Sequence, residues 1–193
     1  DNPKVTGEDI KELFENIKDD IDFEIVRIDG RVKPVDFIKI TIEGSNGRIA
    51  GGNAPTLGII GTLGGIGARP DICGFVSDGD GALAALAAGL KIWDMKNKGD
   101  ILEGDIIVTT HICPFTPTLP HDPVPFMDSP VSDEVLNKYT VSKEMEAIIS
   151  VDTTKGNQIV NHKGFAVTAT VKEGYVLKVS NDLLEIMKRT TGI

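Results

Sequence analysis

The residues of this sequence best suited to chemistry are acids and a histidine that end or directly follow short apolar runs. Asp78 and Asp80 lie in the glycine turn after ICGFVS, His111 ends IIVTTH, and Asp152 follows AIISV. Carboxylate oxygens and imidazole nitrogens are the donors that Zn²⁺, Mn²⁺ and similar divalent ions take from proteins. Since such an ion polarises a carbonyl group and activates water, these residues predict a metal site suited to hydrolysis.

The elements that must position these residues are three apolar strands and one helix. Continuous apolar runs are typical of parallel strands covered on both faces, and the alanine-rich segment Gly81–Lys98 between the first two runs is a helix pattern. Strand, helix and strand in this order form a βαβ unit. Ligands of α/β proteins bind at the carboxyl ends of parallel strands, so Asp78, His111 and Asp152 are predicted to converge there as metal ligands.

Each of these residues also has a structural explanation. Asp78 or Asp80 could cap the following helix, because a carboxylate there accepts hydrogen bonds from unpaired backbone N–H groups. His111 could be a buried histidine bonded to a loop carbonyl, and Asp152 could form a turn. We predict that Asp78 is the metal ligand, and that Asp80 is either the helix cap or a catalytic residue beside the metal.

A proline-rich segment, CPFTPTLPHDPVPFMDSP, follows the second apolar run and is predicted to be an ordered loop. It contains His121, the second candidate catalytic residue beside Asp80, although an ordinary surface loop is the alternative. Cys113 opens the segment two residues after His111, which leaves a Cys–His nucleophile as a further alternative.

The remaining patterns predict an α/β domain. Thr6–Lys18 is an amphipathic helix with Thr6 as its cap, Phe23–Ile28 and Val35–Ile42 are strands, and Asn181–Arg189 is a final helix. The glycine-rich segment Gly51–Asp71 interleaves glycine with Leu and Ile, which indicates close packing against another segment, a partner or a ligand. We expect one domain over residues 1–193, with a mostly parallel mixed sheet and helices on both faces.

Composition narrows the possible partners. The 193 residues carry a formal net charge of −9, which argues against binding to a nucleic-acid backbone. Apolar runs are too short to span a membrane, and two isolated cysteines fit a reducing cytoplasm. We therefore expect a cytoplasmic homo-oligomer acting on a small molecule or peptide, with neither nucleic acid nor membrane as partner. We also expect the sequence to be a fragment of a longer chain, since it starts without methionine and stops just after a helix pattern.

Five long segments resemble one prokaryotic family, which is catalogued as domain of unknown function 1177. They are AGGNAPTLGIIGTLGGIGARPD, VSDGDGALAALAAGLKIWDM, GDIIVTTHICP, PHDPVPFM and ISVDTTKGN, which lie between Ala50 and Asn157. The resemblance as a whole covers nearly the entire chain. The family name implies no activity.

A more distant pattern is similar to dinuclear metallo-aminopeptidases of the deblocking and tetrahedral type. In those enzymes an aspartate that bridges two metals precedes a helix of small residues, as Asp78 precedes Gly81–Trp93 here, and a later strand ends in a metal-binding aspartate, as at Asp152. Their Glu-Glu pair is replaced here by His111-Ile112-Cys113, and no histidine precedes His111. The resemblance therefore implies an aminopeptidase-like fold and a divalent metal, zinc first, but leaves the catalytic base open among Asp80, His111 and His121.

Two functions remain after this reasoning. The first is a metal-dependent hydrolase of peptide or amide bonds. The second is a non-enzymatic α/β domain that binds a small molecule or forms an oligomer, with Gly51–Asp71 as an interface and the acids as helix caps.

Overall fold

The computed structural model describes residues 4–62, 79–120, 122, 126–153, 158–159, 161 and 164–192. The chain divides into two compact units, Asp1–Thr154 and Lys155–Ile193, and the expectation of one domain over 1–193 stays a prediction. The described elements are α1 (Gly7–Glu15), β1 (Asp22–Ile28), β2 (Val35–Ile42), β3 (Leu57–Gly61), α2 (Asp80–Asn97), β4 (Ile106–Ile112), β5 (Thr118–Leu119), β6 (Phe126–Met127), α3 (Asp133–Thr140), β7 (Ala147–Val151), β8 (Val171–Lys172), β9 (Tyr175–Val176) and α4 (Asn181–Thr191).

The first unit is built on a five-stranded mixed sheet in the order β1-β2-β4-β3-β7. β1 and β2 pair antiparallel, as do β2 and β4, whereas β3 pairs parallel with both β4 and β7. The predicted α/β class with a mixed sheet is therefore confirmed, with parallel pairing confined to β4, β3 and β7.

β3 is a strand that the sequence patterns did not predict, because its residues, LGIIG, lie within the glycine-rich stretch. The glycine at its end is required by packing: a Cβ on Gly61 would lie 2.6 Å from the Gly81 carbonyl oxygen and 2.9 Å from the Ala85 Cβ. Glycine therefore lets α2 lie directly on the strand. The strand predicted at 72–76 lies outside the described residues, and within the described part β3, α2 and β4 form the strand–helix–strand succession.

Helices cover both faces of the sheet in the first unit, as predicted. On one face α1 and α2 pack through Phe14, Ala85 and Trp93 against the buried residues Ile38, Ile40, Ile42, Ile59, Ile106 and Val108. On the other face α3 packs through Val135, Leu136 and Tyr139 against Val35 and Phe37. The alternation of side chains along β2 and β4 supplies both cores.

α1 is fixed at its start by a capping box and by a buried carboxylate. The Thr6 hydroxyl accepts from the Asp9 N–H, and the Asp9 side chain accepts from the Thr6 N–H. Asp36 Oδ2 accepts from the Gly7 N–H at 2.8 Å, while Arg27 donates to both Asp36 oxygens at 2.6 and 2.7 Å. The hydrogen bond from Arg27, helped by that from Gly7, holds the pKa of Asp36 below its usual 3.8 despite burial.

Asp36→Asn is expected to lower the melting temperature at neutral pH, with a difference from wild type that shrinks in acid. The lowered pKa means that the charged carboxyl stabilises the folded state above the unfolded-state pKa, and that this contribution disappears as pH falls through the folded-state pKa. Melting curves of both proteins from pH 7 down to about pH 3 measure it. Asp22→Asn, at an exposed position of β1, is the control. A difference independent of pH would contradict the expectation.

The loop between β2 and β3 is organised by a second buried carboxylate, Asp105, which immediately precedes β4 and is fully buried. Its oxygens accept from the backbone N–H groups of Gly44 and Ile49, each at 2.9 Å, and from the Thr56 hydroxyl at 3.4 Å. A single side chain thus satisfies donors along the whole loop.

The second unit contains the short hairpin of β8 and β9 and the helix α4. Glu173 and Gly174 form the turn with φ of 51° and 84°, as a two-residue hairpin turn requires. β8 and β9 pair antiparallel over two residues each, and the final helix is confirmed as Asn181–Thr191, with its C-cap Gly192 at φ of 77°. Among the described residues, no helix is long and apolar enough to cross a membrane.

Candidate site at the carboxyl edge of the parallel strands

The start of α2 touches the carboxyl ends of β3 and β7. A Cβ on Gly81 would lie 2.5 Å from the carbonyl oxygen of Thr62 and 2.5 Å from that of Val151. Only a residue without a side chain allows this approach. Because Asp80 precedes Gly81 and Asp152 follows Val151, the contact brings the backbones of these two acids to one point of the sheet edge.

Threonine hydroxyls join the strand ends at this edge. Thr62 donates through its N–H and its hydroxyl to the Val151 carbonyl, at 3.0 and 2.8 Å. Thr110 donates through its hydroxyl to the Gly61 carbonyl at 2.9 Å. The ends of β4, β3 and β7 are therefore held in fixed positions relative to one another, as a binding site on a rigid scaffold requires.

Asp80 is the first residue of α2, and no side-chain capping bond forms at this helix start among the described residues. The N-cap is Gly79, whose conformation is helical, so the interpretation of Asp80 as the cap is wrong. A carboxylate in the first turn still interacts favourably with the helix dipole. Asp152 is exposed, and its Oδ1 accepts from the Thr153 N–H at 2.7 Å, which is the local turn bond that the sequence left as an alternative.

His111 lies on β4 and is 1% exposed. Its ring packs against Phe37 with centroids 5.6 Å apart, and its Nδ1 has no hydrogen-bond partner among the described residues. Burial lowers the pKa of His111 to about 4, so the imidazole is neutral at pH 7. The predicted bond to a loop carbonyl is therefore absent at Nδ1 within the described part of the chain.

The strand register relates His111 to Asp152. Continuing the pairing of β3 with β4 and β7 beyond its last pairs puts Thr62 beside both residues. Since neighbouring strands lie about 4.8 Å apart, the two Cα atoms are about 10 Å apart across the edge. The His111 ring points to the face covered by α3, whereas α2 covers the other face, so His111 and Asp80 can meet only beyond the end of the sheet.

Two predicted site residues, Asp78 and His121, lie outside the described residues. Among the residues that are described, no group of three or more His, Cys, Asp and Glu side chains could hold a metal ion. Cys113 is buried, and burial raises the pKa of its thiol. The thiol is thus protonated at neutral pH, which argues against the Cys–His nucleophile.

Sequence reasoning missed Thr62 and the role of Gly81. Thr62 follows the apolar residues of β3, as Thr110 follows those of β4 and Thr153 those of β7. A threonine after each apolar run was therefore the available signal. The flanking glycines concealed it, because they interrupt the apolar run.

Comparison with known proteins identifies the family of the chain. Residues 26–193 match the family described as "Protein of unknown function (DUF1177)", and the chain belongs to it. No curated protein matches. Among solved structures, the chain is similar to "Bottromycin maturation enzyme BotP in complex with Mn", with 15% identity and a TM-score of 0.37 over 63% of this chain. The similarity spans 30% of the length of that enzyme.

Proposed function

We propose that this member of the DUF1177 family is a metal-dependent hydrolase of peptide or amide bonds. Its divalent ion would be held by Asp78, His111 and Asp152 at the carboxyl edge of the parallel strands. Asp80 and His121 would assist as acid or base.

The observation that best supports the proposal is the contact of Gly81 with the ends of β3 and β7. It brings Asp80 and Asp152 to one point, and Asp78 precedes Asp80 by two residues in the sequence. The backbone of an acid in α2 and that of an acid after β7 thus lie near the edge where α/β proteins place their ligands.

The state of His111 is compatible with a ligand. Only a neutral imidazole with an available ring nitrogen binds a metal ion, and the buried Nδ1 of His111 has no partner among the described residues. Two carboxylates and one imidazole suit Zn²⁺ and Mn²⁺ alike, and zinc is our first candidate.

The chemistry that a bound ion supplies is polarisation of a carbonyl and a lower pKa for water. The chain itself contributes the fixed positions of the strand ends, through Thr62 and Thr110, and a proton acceptor at Asp80 or His121. An exposed Asp152 leaves the edge open to a peptide or small amide.

Metal analysis of the purified chain tests the proposal. After incubation with Zn²⁺ or Mn²⁺ and gel filtration, we expect about one ion per chain for wild type and for the control Asp100→Asn, which changes an exposed acid far from this edge. Asp78→Asn and Asp152→Asn are expected to lose at least about 100-fold in ion affinity, since removing even an outer-shell partner costs 10–100-fold. His111→Gln tests whether His111 is the third ligand, and circular dichroism verifies that this variant is folded.

The proposal fails if wild type retains no stoichiometric ion, or if neither aspartate variant changes its ion content. If ions bind as expected, the loaded chain is then assayed against a panel of peptides and amides. If the chain binds the ion but hydrolyses no peptide or amide of the panel, it is a metal-binding protein, and the enzymatic part of the proposal is overturned.

A further inference from the structure

A cavity of about 220 Å³ opens beside the start of α1, between the β1–β2 hairpin and the segment that follows β4. We propose that it binds a small organic carboxylate with an apolar body. Pockets for drug-sized ligands measure about 300–1,000 Å³, so the occupant has the size of a single hydrophobic amino acid or of the last residue of a peptide.

Arg27 is the first group suited to the carboxylate. Its Nε and one terminal nitrogen are bonded to Asp36, whose side chain is 5% exposed. A guanidinium has five N–H donors, and these two bonds leave three of them for a ligand. The buried partner therefore fixes the planar fork, whose geometry matches a carboxylate, without occupying all of it.

Lys33 is the second group. Its Nζ lies 3.5 Å from the centroid of the Phe115 ring, a cation–π contact that orders the ammonium group without neutralising its charge. Apart from Lys4, the lining carries two cations, Arg27 and Lys33, and one carboxylate, Asp36. Glu8 adds an attraction to Arg27 from outside the lining. Cations thus outnumber carboxylates in this lining, although the chain has a net charge of −9.

The remaining walls explain why the ligand has an apolar body. Val5, Pro34, Ile112, Pro114 and Phe115 line the cavity together with the cations. An inorganic anion would leave these walls without contact, whereas an aliphatic or aromatic group would bury apolar surface against them. Charge and apolar surface together favour an acid such as N-acetylphenylalanine over phosphate.

The inference is independent of the proposed hydrolase, because neither the cavity nor its cations require a metal ion. The test is therefore performed on chain freed of metal with EDTA. NMR titrations of ¹⁵N-labelled protein use three probes: N-acetylphenylalanine, its carboxamide and inorganic phosphate.

Wild type is expected to bind the acid at least about tenfold more tightly than the carboxamide, since a hydrogen bond to an ionised group is about twice as strong as one between neutral groups. Shifts should centre on Val5, Lys33 and Phe115. Lys33→Met is expected to weaken the acid about tenfold and leave the carboxamide unchanged. Lys98→Met, an exposed lysine at the end of α2, is the matched control and should bind as wild type does.

Equal affinity for the acid and the carboxamide would overturn the proposal, as would unchanged binding in Lys33→Met. Tighter binding of phosphate than of the acid would assign the cavity to inorganic anions instead. Lys33 is an exposed residue whose removal leaves the core intact. Melting curves of each variant verify that a lost affinity does not come from unfolding.

Discussion

Asp105→Ala is expected to lower the free energy of unfolding by about 2–5 kcal/mol, since each buried donor left without a partner costs about 1–3 kcal/mol. The substitution removes the acceptor for the Gly44 and Ile49 N–H groups and for the Thr56 hydroxyl. Replacement by alanine also leaves a void at a site that is fully buried. The loop between β2 and β3 should lose its order first.

Urea unfolding followed by circular dichroism measures the effect, and hydrogen exchange locates it. Asp105→Asn, which keeps one acceptor oxygen, should fall between wild type and the alanine variant. Asp100→Ala, an exposed acid five residues earlier, should remain within about 0.5 kcal/mol of wild type. If Asp105→Ala also lowered the free energy of unfolding by no more than about 0.5 kcal/mol, Asp105 would not organise the loop.

Gly81→Ala is expected to destabilise the fold by about 1–3 kcal/mol, the usual cost of overpacking, and to weaken ion binding at the proposed site. The new methyl group would lie 2.5 Å from two backbone carbonyl oxygens, those of Thr62 and Val151. The Val151 oxygen accepts two bonds from Thr62 and cannot move without disturbing the joint between β3 and β7, so α2 must shift away from the edge.

Gly89→Ala on the same helix is the matched control. There the atoms nearest to the new Cβ belong to side chains, Val108 Cγ2 at 3.0 Å and Phe14 Cζ and Val108 Cβ at 3.6 Å. Alanine also favours the helix by up to about 1 kcal/mol. We expect stability within about 1 kcal/mol of wild type and unchanged ion affinity. If Gly81→Ala were as stable as Gly89→Ala, the close approach of α2 to the strand ends would be refuted.

Local patterns in the sequence were enough to predict most elements of the first unit. The capping box at Thr6, the alternation of Val35–Ile42, the alanine-rich α2 and the apolar run of β4 each have a periodicity or cap that depends only on neighbouring residues. Such signals do not need the rest of the chain.

The order of the strands depended on tertiary structure. β3 separates β4 from β7, although the sequence suggested that strands ending in His111 and Asp152 could be direct neighbours. Gly58 and Gly61 interrupt the apolar pattern of β3, so the strand was not predicted. Both positions lack a side chain because the Met145 side chain and α2 pack against them. A pattern of apolar side chains does not reveal such a contact.

The amino-acid sequence alone was enough to place His111 and Asp152 at the ends of apolar strands, and to establish the acidic, α/β character of the chain. Long-range packing was needed to establish that Gly81 brings the start of α2 to the end of β7, that His111 faces the core under α3, and that Arg27 and Lys33 line one cavity. Periodicity fixes the face and the end of an element on which a residue lies. Its neighbours across the sheet are set by long-range packing of backbone and side chains, which local spacing does not encode.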